Sequence, residues 1–297
     1  MNRNLIVLFF SQIFSFTAAP VTVFLSGIIG SQISPLKSLS TLPMSISVVG
    51  IALGAIVATK TMSLLGRRTG FIIAAISNSL VSLLAAYSVM TQNFILFCFA
   101  NFFIGVGMAF THQYRFAAAE SVDKEKIPKA ISIILLGGIV SAFIGPGTAN
   151  LTKNFISEQL YVGSYVSLAA YMFLPAILFL FYKNNTIEKK DISFIGRGYF
   201  EIISQPRFLQ AMVASAFGYA IMTFLMTATP ISMHVMENMS LNITSFVIQM
   251  HVASMFLPSL ITGNLIKKFG HSKIMYVGLL LYGVTIILSL LDQTFFN

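Results

Sequence analysis

Few residues in this sequence are equipped for chemistry. The 297-residue chain holds nine Asp and Glu, 18 Lys and Arg, four His and one Cys. Two histidines fall inside apolar runs: His112, within His112-Gln113-Tyr114-Arg115, and His251, two residues after Gln249. Histidine titrates near neutrality, so either can bind and release a proton. A group that binds and releases protons inside an apolar run is what proton coupling needs; the plainer reading is a histidine bonded to a neighbouring helix. No acid sits at the centre of an apolar run, so any proton coupling must use His251, His112 or Glu120. Arg115 closes its run and must snorkel or find a partner. Glu120 lies five residues on, off the spacing of a helical pair; it can also reach Arg67 or Arg68 in another segment and lock one face, or remain a solvated loop charge. His234 and His271 lie in polar stretches, and nothing suggests a metal site. Paired acids for an intramembrane enzyme are missing, as is a Gly-rich loop followed by Lys-Ser/Thr that would cradle ATP. No cofactor is expected.

The elements that must carry these groups emerge from charge spacing. Charged residues are 9% of the chain and hydrophobic residues 56%, against about 25% charged in a typical soluble domain. So few charges cannot cover a soluble surface, so the chain reads as an integral membrane protein. Uncharged gaps of 33 residues (Arg3 to Lys37) and 46 residues (Arg68 to Arg115) are the longest at the N-terminal end. A helix crosses hydrocarbon with about 20 apolar residues. Each gap therefore holds one span, except the longest, which holds two divided at Thr91-Gln92-Asn93. Nine spans are predicted, near 5–29, 39–59, 69–90, 94–114, 130–150, 160–182, 208–229, 244–264 and 274–291. Strands of a barrel would alternate over about 10 residues instead. Arg3 with Ala18-Ala19 loosely suits a signal peptide, but the apolar stretch runs to Gly30, too long for that segment. Cys98 lies inside the fourth span and reads as a small buried hydrophobe.

Placing the N-terminus in the cytoplasm puts 16 of 18 Lys and Arg on the inside and leaves only Lys37 and Lys153 outside. Basic loops beside anionic lipid then account for the +9 charge without nucleic acid. The longest polar segment, 183–207, reads as a cytoplasmic linker. It separates a six-helix block, 1–182, from a partial C-terminal block, 208–297.

The two parts echo one another. Leu65-Gly66-Arg67-Arg68 lies between spans two and three; Gly263-Asn264-Leu265-Ile266-Lys267-Lys268-Phe269-Gly270-His271-Ser272-Lys273 lies between spans eight and nine. Parallel halves of this kind mark transporters. On these residues the chain resembles the major facilitator superfamily, whose signature Gly-x-Leu-x-Asp-Arg-x-Gly-x-Arg-Arg comes after the second helix and recurs after the eighth. Gly263, Leu265, Lys268, Gly270 and Lys273 match the second copy, with Lys267 in place of Asp. Gly66 and Arg68 match the first, Arg67 taking the free position; Ser63 replaces the Asp and Thr59 the leading Gly. The fifth span, with Gly137-Gly138, Gly145 and Pro146-Gly147, is similar to the Gly-rich, Gly-Pro-ended fifth helix of the family's exporters; Gly/Pro enrichment is also common in membrane helices.

The resemblance implies an all-α membrane bundle, a six-helix block and then an incomplete block of three helices, in a family built of twelve. It implies a multi-pass transporter of a bacterial inner membrane that moves a small solute by alternating access. Proton-coupled export is the first expectation. A nutrient-uptake permease is the second, and a truncated, non-transporting product the third. The bilayer, a small solute and protons are the implied partners, with a separate polypeptide to supply the missing helices. Ser11, Gln12, Ser15, Thr17, Asn78, Asn101, Tyr219, Thr223 and Gln249 either line a cavity or, the favoured reading, bond helix to helix. The 28 Phe and 15 Met read as lipid-facing packing, and Asn242-Ile243-Thr244 as a chance glycosylation triplet.

The sidedness has a direct check. In intact cells, a Ser38→Cys variant beside Lys37 should react with a membrane-impermeant maleimide, and a Leu65→Cys variant beside Arg67 should not. The reverse pattern would overturn the topology.

Overall fold

A computed structural model describes residues 2–156, 159–184 and 198–290, and every regular element among them is helical. Eight helical runs among these residues are long and apolar enough to cross a membrane. We label the α-helices α1 (Arg3–Ser15), α2 (Ala18–Ile33), α3 (Leu42–Met90), α4 (Phe94–Thr111), α5 (Tyr114–Glu120), α6 (Ile127–Thr152), α7 (Val162–Phe179), α8 (Tyr199–Ile203), α9 (Pro206–Pro230), α10 (Leu241–Phe256), α11 (Ser259–Phe269) and α12 (His271–Leu290).

Eight runs accommodate nine crossings because α3 is doubled. At 1.5 Å per residue its 49 residues would reach about 70 Å, more than twice a bilayer core. It turns instead at Gly66, whose φ of 78° and ψ of 161° are not helical. That region is open essentially to glycine alone. The folding back is visible on α4. Gly105 presses on the Ser47 carbonyl in the first arm, and Gly107, two residues on, presses on the Asn78 side chain in the second. Gly270 repeats the device between α11 and α12, with φ 82° and ψ 160°. Two glycines 204 residues apart thus adopt the same rare backbone, as the repeat requires.

Several predicted spans are broken where hydropathy draws one continuous helix. The first divides at Phe16-Thr17, just ahead of Pro20 in α2; the fourth divides at His112-Gln113 between α4 and α5. The eighth divides at Leu257-Pro258 between α10 and α11. Proline supplies no backbone donor and crowds the preceding turn, which explains the first and third breaks. Pro146, by contrast, is absorbed inside a continuous α6. The segment 185–197, most of the predicted linker 183–207, lies outside the described residues, as do 291–297.

The core is concentrated in α1–α7. Phe24, Leu25, Ile28, Phe71, Phe97 and Ile104 are fully buried there. Among described residues beyond 198, the buried apolar side chains are Met226, Pro230, Leu241, Ile248, Val252 and Ala253. Helix contacts rest on small residues, as expected where lipid is as apolar as leucine. Gly50 meets the Phe102 carbonyl, and a Cβ on Gly54 would lie 2.7 Å from Val106 Cα. Some buried polar groups join helices, while others bond back within their own helix: Ser26 donates to Asn101 at 3.0 Å, Ser15 pairs with the Tyr114 hydroxyl at 2.9 Å, and Ser79 donates to the Ala169 carbonyl at 2.9 Å, whereas Ser82 donates to the Asn78 carbonyl of its own helix at 2.8 Å. Cys98 is buried, and Thr244 of the glycosylation triplet is fully buried inside α10.

The N-terminus and the early turns sort into two layers. Asn2 donates to the Ser121 carbonyl, and Asn4 and the Lys183 backbone exchange hydrogen bonds at 2.8 and 3.0 Å. These tie the N-terminus, the end of α5 and the end of α7 to one side. Gln92 meets Gln159 at 3.0 Å on the other.

Replacing Gly66 by alanine should strain a residue that must keep a positive φ and push its Cβ to 2.8 Å from the Asn184 amide. The expected cost is about 1–3 kcal/mol, read as a fall in unfolding temperature in detergent. Gly278→Ala, which meets no atom within 4 Å, should leave that temperature unchanged or raise it slightly.

Candidate functional site

The break in the first span opens onto a cavity of about 100 Å³ at the meeting of α2, α3, α4, α9 and α10. Phe16, His112 and Tyr219 give it three rings, and Thr22, Ser47 and Thr223 give it hydroxyls. Five thioethers complete the wall: Met44, Met108, Met222, Met226 and Met255. No charged residue is among its lining. The His112 ring meets Phe16 edge-on, centroids 6.5 Å apart, and Phe16 in turn meets Phe256 at 5.2 Å. Methionine is flexible and its sulfur favours aromatic edges, so this wall can reshape around a flat ring. Composition assigns the methionines to lipid; five of the 15 instead line this cavity. Sequence could not show it, because helix rotation decides which face of a uniformly apolar helix points inward.

A second cavity of about 420 Å³ lies between α9, α10 and α12, and Met222, Met226 and Met255 line it as well. His251 belongs to this one, so His112 and His251 stand on opposite sides of a methionine wall. The plainer expectation for His251 is a bond to a neighbouring helix, yet its buried Nε2 has no hydrogen-bond partner. Gln249, two residues earlier and so far round the helix, reaches away from His251. Its Nε2 donates to the Phe143 carbonyl of α6 at 3.3 Å.

Helix α6 is therefore the seam between early and late helices. Gly137 and Gly145 face α1 and α2: Cβ atoms there would lie 3.2 Å from the Phe9 and Thr17 carbonyls respectively. Gly138 and Gly147 face α10, where Cβ atoms would come 2.9 Å from the Phe256 ring and 3.2 Å from Gln249 Nε2. Pro146 sits between these surfaces, in the half of α6 that packs on Pro20. Ser141 strengthens the seam by donating to the Ile13 carbonyl at 2.7 Å, beside the break in the first span.

The loop motif assembles on the N-terminal side. Arg67 grips Glu120 with two bonds, Nε to Oε2 at 2.6 Å and an Nη to Oε1 at 2.5 Å. Arg68 turns to the end of α7 and donates to the Phe179 and Leu180 carbonyls at 3.3 and 2.7 Å, where a helix C-terminus favours a cation. Beneath them Phe71, Tyr114 and Phe179 pack ring on ring, with Phe71 4.8 Å from each of the other two. Arg115 instead lies over the Phe116 ring at 5.2 Å. Nearby, the Lys126 ammonium bonds Asp123 at 2.7 Å and holds that carboxyl below the usual range. In the second copy, Gly263 lies within α11 and Gly270 forms the turn. Lys268 lies over the Phe269 ring at 5.2 Å, and Lys273 is exposed at the start of α12. The Arg67–Glu120 pair joins α3 to α5, so both partners belong to the early helices.

The model of the Major Facilitator Superfamily matches residues 5–294. The chain belongs to this family of membrane transporters. It is 34% identical over 292 residues to the riboflavin transporter RfnT of Brucella anthropi, which covers 97% of this chain and 73% of that protein. Two Bacillus subtilis proteins, the uncharacterized MFS-type transporters YddS and YdeG, are 25% and 24% identical over 91% of this chain. The chain spans 65% and 66% of those two relatives' lengths. No solved structure matches it. It is thus a multi-pass membrane protein of a transporter family, as the loop motif and nine spans implied.

A double-mutant cycle on Arg67→Ala and Glu120→Ala should return a coupling of about 1 kcal/mol by thermal unfolding, near the top of the range for part-exposed pairs because the contact is two-pronged. Arg67→Lys should lose most of it, since an ammonium cannot make the fork.

Proposed function

We propose that the chain carries a small, uncharged, ring-bearing solute across a bacterial inner membrane by alternating access, with the cavity at Phe16, His112 and Tyr219 as its binding site. The observation that carries this reading is the cavity's chemistry: rings, hydroxyls and thioethers with no ionised group. A charged substrate would have to leave water for that lining without a counter-charge. The name of the Brucella anthropi relative supports riboflavin as the first solute to try.

Helices 1–182 and 208–297 act as two blocks joined by the linker 183–207, and they rock about α6 and α10. The N-terminus lies in the cytoplasm. Arg67, Arg68 and Glu120 brace that face of the first block, and the loop of Gly263, Lys268, Gly270 and Lys273 forms its counterpart in the second. The apolar faces of α9 and α12 take further membrane helices, carried by this chain or by another polypeptide. Export is the direction suggested by the Gly138, Gly145 and Pro146 surfaces of α6, which sit where the blocks meet and can set how tightly one side seals. Any proton is carried by His112 or His251.

Vesicles containing the chain should move riboflavin down an imposed concentration gradient, faster when a pH gradient is added. Unchanged flux after the pH gradient is collapsed would remove proton coupling. Riboflavin flux no greater than in empty vesicles would remove the substrate assignment.

A further inference from the structure

We propose that the solute site is bipartite: a ring compartment at Phe16 and His112, and a second, hydrogen-bonding compartment at His251 that receives a hydroxylated tail on the same solute. The inference rests on the central cavity being the transport site, and adds a subsite that neither the loop motif nor the relatives assign.

Three observations converge on it. First, the ring compartment alone, about 100 Å³, is smaller than small-molecule sites, which run about 300–1,000 Å³. Adding the neighbouring space of about 420 Å³ brings the pair into that range. Second, the partition between them is made of Met222, Met226 and Met255, which line both. Each is unbranched with three rotatable bonds, so rotamer changes open a passage without moving a helix. Third, the far compartment carries unused hydrogen-bonding capacity. His251 lines this compartment, and its buried Nε2 has no hydrogen-bond partner in the protein, a costly arrangement that a rotation of the ring toward an incoming hydroxyl relieves. Around it Thr229, Tyr282 and Thr285 spend their hydroxyl protons on the Leu225, Gly218 and Leu281 carbonyls. Their oxygens keep lone pairs that accept from an incoming hydroxyl. The compartment therefore offers three acceptors and one imidazole nitrogen to a neutral chain bearing several hydroxyls, while the first offers ring edges and sulfur to a flat ring.

The test separates ring from tail. Binding to the full chain in detergent is monitored by quenching of ligand fluorescence, using riboflavin, which has both parts, and lumichrome, which has the ring without the tail. Phe16→Ala should weaken both ligands. His251→Ala should weaken riboflavin about tenfold, the value of one lost hydrogen bond to a buried group, and leave lumichrome unchanged. His251→Gln, which keeps a donor and an acceptor, should recover much of the riboflavin affinity. If His251→Ala weakens both ligands equally, or neither, the bipartite site is overturned while the ring site stands. If the unmodified chain binds neither ligand, the transport-site reading itself fails and takes the subsite with it.

Discussion

Close backbone approach through glycine is the constraint on which the rest of this structure depends. Apolar side chains gain nothing by leaving lipid for a neighbouring helix, so packing must come from contact at short range. Helix α4 shows how that is met. Gly105 and Gly107 let it touch both arms of the doubled α3, while Gly50 and Gly54 return the contact from the first arm. Were α4 held further out, the arms of α3 could not lie side by side and the Gly66 turn would have nothing to close against. Buried hydrogen bonds such as Ser26 to Asn101 then fix the rotation of helices already in contact.

The same device runs the seam at α6, where its purpose differs. Glycines on two faces of one helix allow α1 and α2 to approach on one side and α10 on the other. A helix with bulky residues there would keep the early and late helices apart and open the central cavity to lipid. With glycine, the cavity is enclosed by five helices yet lined by residues that can move. Methionine supplies movement without polarity. The hydroxyls of Thr22, Ser47 and Thr223 supply polarity without charge.

The loop glycines tie fold to family more firmly than their sequence context does. Only a few positions of the signature survive around Gly66, and its acidic residue is Ser63. Yet Gly66 and Gly270 share one backbone conformation to within a few degrees. Glu120, from a different helix, supplies a carboxylate to Arg67. An acidic group lost from the motif is thus present in space, brought by the end of α5.

Hydropathy and charge spacing alone determined that the chain is a membrane bundle, and drew nine spans where the described residues hold eight long apolar runs, one of them doubled back. Those are one-dimensional properties: a run of about 20 uncharged residues has one way to be satisfied in hydrocarbon. The pairing of Glu120 with Arg67 was legible as one of several options, since a charge at a helix end has few partners to choose from. What lines the central cavity was not legible. A helix apolar on every face carries no periodicity to say which side turns inward, so Met222 and Met226 looked no different from methionines facing lipid. The break at His112-Gln113, the separation of Gln249 from His251 onto different surfaces, and the shared methionine wall between two cavities were decided only by tertiary packing. There the rotation of the early helices is set by close glycine contacts and by buried hydrogen bonds such as Ser26 to Asn101.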